Sequence, residues 1–216
     1  MAAHRSPQRV GADHYRSASM KVLALELSSP VGSVAFCSDG GDRDLKVFPA
    51  DRKDSGLFYE NLQALQELWG RPDLIVVGLG PGSYAGIRIA IATAIGLKAA
   101  WRARLLGLPS ICALEPEEYV AVGDARRNSF FFAHVIRGRC VVGPTLATED
   151  EIFSKLRGWQ HLPRIAPQPL AQFEDIVVEH PSALRLAQLA LDAEIDDPET
   201  LEPIYLREPY ITTPRK

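Results

Sequence analysis

Between residues 78 and 88 the chain reads Gly78-Leu79-Gly80-Pro81-Gly82-Ser83-Tyr84-Ala85-Gly86-Ile87-Arg88. Glycine at these spacings lets a backbone turn sharply and pass close to its neighbours. Ser83 stands where a helix N-cap would, ahead of a stretch rich in alanine and isoleucine. A helix N-terminus presents N–H groups to anions, so Gly80, Gly82, Ser83 and Arg88 form a candidate anion or interface loop. Arg88 there suits either a phosphate or carboxylate contact or a salt bridge along the helix.

Three chemical motifs can be set against this turn. Gly80, Gly82 and Ala85 satisfy the loose dinucleotide pattern G-x-G-x-x-A, but residues 105–110 lack the acid that pattern expects about 20 positions on. A P-loop needs Gly-Lys-Ser/Thr, and the first lysine after the turn is Lys98. A nucleophile elbow around Ser83 needs glycine at position 81, which is Pro81. The reading left strongest is a structural turn that opens a packed helix.

Metal and thiol chemistry find little footing. Cys37, Cys112 and Cys140 lie far apart without CxxC spacing, which points to reduced thiols in a cytoplasmic protein. Beyond residue 19 the histidines are His134, His161 and His180, in no HxxxH, HExxH or His–Cys cluster. No metal site is expected, nor any cofactor.

The elements that position the turn follow from periodicity. Short apolar runs at 22–27, 33–37 and 45–48, separated by turn residues, predict three strands paired as an antiparallel meander, because parallel pairing needs a longer crossover. The period then changes. Asp54-Ser55 can cap a helix whose stripe is Phe58, Leu62, Leu65 and Trp69, ended by Gly70 and Pro72. A buried strand at 74–79, a long helix from 83 to about 102 and a strand at 105–108 come next. That helix carries many small residues, so it is either wholly buried or packed on its sheet with another face offered to a partner. Residues 109–116 read as a junction. Strands at 119–122, 130–136 and 140–142 follow, then a helix over 149–156 capped by Thr148, proline-rich loops, a helix over 182–193 capped by Ser182, and an extended piece at 204–206. This is an α/β chain with mixed sheets flanked by helices.

Composition bounds the rest. The 216 residues hold 24 Lys+Arg and 27 Asp+Glu, a formal net charge of −3, so no global basic field draws the chain to nucleic acid or anionic membrane. No apolar run approaches the roughly 20 residues of a bilayer span. Residues 1–19 hold three arginines, one acid and no apolar periodicity, which fits an expression leader, an over-extended start ahead of Met20, or a transit peptide. The expected organisation is this leader, an N-terminal lobe over 20–109 and a smaller C-terminal lobe over 110–216.

Four segments together resemble the TsaB (YeaZ) family. Leu23-Ala24-Leu25-Glu26-Leu27-Ser28-Ser29 is similar to its I-L-A-[ILF]-D-T-S opening, with Glu26 for the usual Asp. Gly80-Pro81-Gly82-Ser83-Tyr84-Ala85-Gly86-Ile87-Arg88 resembles G-P-G-S-[FY]-T-G-[LI]-R, with Ala85 for Thr. Asp124-Ala125-Arg126-Arg127 looks like its D-A-R-[RM] strand end, and Pro203-Ile204-Tyr205-Leu206-Arg207 like its closing P-x-Y-L-R.

The resemblance implies an actin-like, RNase-H-like (ASKHA) two-lobed fold. It also implies a non-catalytic subunit in N6-threonylcarbamoyladenosine modification at position 37 of tRNA. The implied partners are a TsaD-like paralogue, which carries the metal and transfers the group, and a TsaE-like ATPase. Alone, such a chain would form a homodimer, and tRNA would be met only indirectly. The interface is expected on the two N-terminal helices, at Leu57, Phe58, Leu62, Leu65, Ala90, Ala94 and Leu97, each of which could equally be core. The alternative is an ATP-dependent small-molecule kinase or hydrolase on the same fold, for which Glu26 and Asp124 would be the cleft acids.

Overall fold

The computed structural model describes residues 19–50, 55–193 and 201–207. Asp54 and nearly all of the leader lie outside these residues. The first sheet is built from β1 (Lys21–Glu26), β2 (Val31–Ser38), β3 (Arg43–Pro49), β4 (Leu74–Gly78) and β5 (Arg104–Leu108), in the order β3-β2-β1-β4-β5. β1, β2 and β3 are the expected antiparallel meander. β4 and β5 join in parallel, each after a helical crossover, α1 (Gly56–Trp69) and α2 (Tyr84–Trp101).

Both faces of this sheet are covered, which is why β1 and β4 read as continuous apolar runs. Leu23, Leu25, Ile75 and Val77 meet α1 and α2 on one face. Val22, Ala24, Leu74 and Val76 meet α4 (Ala183–Leu191) on the other, through Ala183, Leu186, Ala187 and Ala190. The chain therefore returns to its first sheet near its end.

The second sheet has the order β10-β9-β6-β7-β8, with β6 (Glu118–Asp124), β7 (Phe130–Ile136) and β8 (Arg139–Ala147) antiparallel. β9 (Arg164–Ala166) and β10 (Val177–Val178) add in parallel within the stretch read as loops. They are too short, at three and two residues, for any periodicity to show. α3 (Glu149–Gly158) packs Ile152 and Leu156 against one face of this sheet.

Caps follow chemistry in two cases and context in two. Ser83 Oγ accepts the Gly86 N–H at 3.3 Å, and Thr148 and Glu151 form a reciprocal capping box. Ser55 and Ser182 make no side-chain cap. At the latter helix the first amide, Ala183 N–H, donates to Ser33 Oγ at 2.9 Å, from a strand 150 residues away. Residues 204–206 form no strand; a backbone bond, Ile204 N–H to Leu79 O at 2.8 Å, ties them to the first lobe.

Candidate functional site

The four segments singled out in the sequence meet at one cavity of about 540 Å³ between the two sheets. Ser28 and Ser29 come from the β1–β2 loop, and Gly82 and Ser83 from the start of α2. Asp124 and Arg126 come from the β6–β7 turn, and Tyr205 and Arg207 from the final described segment. Segments as far apart as Ser28 and Arg207 thus share one wall.

The glycine turn holds this arrangement by close approach. Ser83 N–H donates to Ser28 O at 2.7 Å, and a Cβ at Gly82 would overlap that same carbonyl. A Cβ at Gly86 would overlap Leu27 O. Gly80, at φ +91°, adopts a left-handed backbone that other residues rarely take. Its N–H donates to Ser110 Oγ at 2.9 Å and its carbonyl accepts from Ser110 N at 2.8 Å. Gly82 and Ser83 therefore line the cavity, whereas Gly80 braces the turn from behind. Arg88 is also absent from the lining: its guanidinium lies 5.0 Å from the Tyr84 ring centre and contacts the Tyr84 hydroxyl. The guanidinium thus packs against Tyr84 one turn earlier on the same helix, as a cation–π pair.

The two motif acids are both engaged internally. Glu26 is fully buried, and its Oε1 accepts the Ser28 N–H at 2.6 Å. Burial raises its pKa above the ordinary carboxylate value, tempered by the Ser28 and Ser110 groups nearby. Its Oε2 has no hydrogen-bond partner among the described residues. Asp124 Oδ1 accepts the Arg126 N–H at 2.6 Å, and Oδ2 lies 3.7 Å from the Arg126 guanidinium. The pairing of Asp124 with Arg126 holds a turn in which Arg126, Arg127 and Asn128 all have positive φ.

The seven candidate interface residues separate cleanly by exposure. Phe58, Leu62 and Leu65 of α1 and Ala90 and Ala94 of α2 belong to the first-lobe core. They are therefore not available as a surface, because a crossover helix must turn its apolar stripe onto the sheet. Leu97 is half-buried against that core, and Leu57 is 45% exposed. The exposed apolar and small residues include one of the seven, Leu57, with Ala64 and Leu68 on α1, and Ala85, Ala92, Ile95, Gly96 and Ala99 on α2. α2 is thus buried on one face only. Sequence spacing could have found this set, since Leu57, Ala64 and Leu68 repeat the core stripe one residue earlier.

Other candidates have local partners. His134 Nε2 lies 2.9 Å from Glu118 Oε1, with its ring 4.3 Å from that of Trp159. Among the described residues no group of three or more His, Cys, Asp and Glu could hold a metal ion, and no helix is long and apolar enough to cross a membrane.

A five-stranded sheet of order 3-2-1-4-5, a second sheet behind it and a cleft walled by both define a two-lobed actin-like protein. Solved structures agree. A Pseudomonas aeruginosa protein described as similar to the peptidase YeaZ superposes with a TM-score of 0.70 at 22% identity, covering 87% of this chain and 100% of that one. YeaZ from the same organism gives 0.63 at 20% identity, covering 80% and 91%. Uncharacterized proteins of Mycobacterium bovis and Mycobacterium tuberculosis are 29% identical over 140 residues, which is 63% of this chain and 65% of each relative. The family model described as TsaD, tRNA N6-adenosine threonylcarbamoyltransferase, matches residues 60–195. The chain belongs to that family, with the fold of the YeaZ (TsaB) proteins whose motifs it carries.

Proposed function

We propose that this chain is a non-catalytic subunit supporting N6-threonylcarbamoyladenosine modification of tRNA position 37. It docks a TsaD-like transferase, which a TsaE-like ATPase joins. The observation that carries this reading is the outward face of α2, where Ala92, Gly96 and Ala99 flank an exposed Ile95. Small side chains let a partner helix approach closely, and α1 with α2 supplies half of a four-helix arrangement. An exposed apolar face of this kind needs cover, so the isolated chain pairs with itself through the same helices.

Two further features support the role. Glu26 and Asp124, the acids a cleft phosphotransferase would need, are engaged by Ser28 and Arg126. The net charge of −3 leaves tRNA phosphates to the partners.

The test is co-expression with the TsaD-like paralogue of the same organism. Ile95→Glu and Ala92→Glu are expected to abolish co-purification while circular dichroism and melting temperature stay unchanged. Depletion of the chain should lower the N6-threonylcarbamoyladenosine content of tRNA. Retention of the complex by both variants would sink the interface, and turnover of Mg-ATP by the isolated chain would favour the kinase or hydrolase reading.

A further inference from the structure

We infer that the interlobe cavity binds a small organic anion of single charge with a flat apolar body. This goes beyond the partner role above, which uses the outward faces of α1 and α2 and leaves the cavity without a task.

Size and lining set the class of ligand. A volume of about 540 Å³ falls in the range of small-molecule sites, which are largely apolar with a few placed polar groups. Pro30, Pro81, Phe131, Pro167 and Ile204 supply the apolar part. Tyr84 and Tyr205 line it with rings 5.7 Å apart and inclined at 36°, both about half exposed. Such a wall suits a planar group.

Charge sets the rest. Among the described lining residues the charged ones are Asp124, Arg126 and Arg207, a formal +1. Asp124 and Arg126 compensate each other at 3.7 Å. Arg207 is then the uncompensated cation, and its Nε is buried with no hydrogen-bond partner among the described residues. Arg207 lines the cavity, and a carboxylate or phosphate-ester oxygen bound there would balance its charge. At the start of α2, the amides of Ser83 and Gly86 are engaged inside the protein, while Tyr84 and Ala85 line the cavity. A metal-bound triphosphate does not fit this lining, which offers one carboxylate, Asp124, among the described residues, Glu26 lying outside it.

The test is calorimetric titration of the full chain with benzoate, phenylacetate and N-acetyl-tyrosine, each beside its neutral amide, and with Mg-ATP. At least one acid is expected to bind with a dissociation constant below the millimolar range and about tenfold more tightly than its amide. Arg207→Gln should weaken that acid about tenfold and leave the amide unchanged. Ala125→Leu, which narrows the cavity without altering charge, should weaken binding of both. Neither variant touches the outward helix faces, so both should still co-purify with the TsaD-like partner. Equal affinity for acid and amide, no binding by any acid at 10 mM, or displacement of a bound acid by Mg-ATP would overturn the inference.

Discussion

Glu26 closes β1 inside the protein, where a longer acid than the family's usual Asp has its Oε2 unmatched by any described residue. Its raised pKa has a thermodynamic consequence. The native state keeps a proton that the unfolded chain releases above about pH 4.5, so this group contributes most to stability below that value. The contribution declines as pH climbs from the unfolded toward the folded pKa. Glu26→Gln keeps an oxygen to accept the Ser28 N–H and removes the titration. We expect the variant to gain stability relative to the wild type as pH rises from 4.5 to 8, measured by urea unfolding at each pH. Parallel stability curves would contradict the assignment. The acid was legible at its motif position. Its burial was not, because the Ser110 hydroxyl that helps enclose it arrives from 84 residues away.

At the scale of elements, α1 shows how far periodicity reaches. The stripe Phe58, Leu62, Leu65 and Trp69 is visible in the sequence, and so is the parallel set Leu57, Ala64 and Leu68 one residue earlier. A rotation of about 100° separates them, and only the sheet decides which set faces inward. Leu62, 4% exposed, should lose about 2–5 kcal/mol on mutation to alanine, as core leucines do. Leu57→Ala should stay within about 0.5 kcal/mol of the wild type. Chemical denaturation of the two variants separates core from surface directly, and similar losses for both would reverse the orientation of α1. The caps divide in the same manner. Thr148 with Glu151 is a local device, readable three residues apart, whereas Ser182 makes no side-chain cap and the first amide of its helix is bonded by Ser33 across the fold.

Across the whole molecule, α4 couples the lobes. Its alanine face and Leu186 belong to the first core, while Leu189 packs with the core of the second sheet beneath Gly138. Leu201 and Leu206 add a second tie, one to each lobe. The tryptophans report on the two sides separately: Trp69 and Trp101 lie on the first core, Trp159 on the α3 side of the second sheet. Variants retaining only Trp159, or only Trp69 and Trp101, should therefore show coincident urea midpoints. Midpoints that differ would mean the ties do not hold the lobes to one transition. The strand–helix alternation, the meander and the glycine turn were determined along the chain, since alternation, loop length and capping act over a few residues. The closing of four distant motifs around one cavity, and the burial of five expected interface residues, were decided only in three dimensions. Burial depends on which element happens to lie opposite, and no local spacing encodes that.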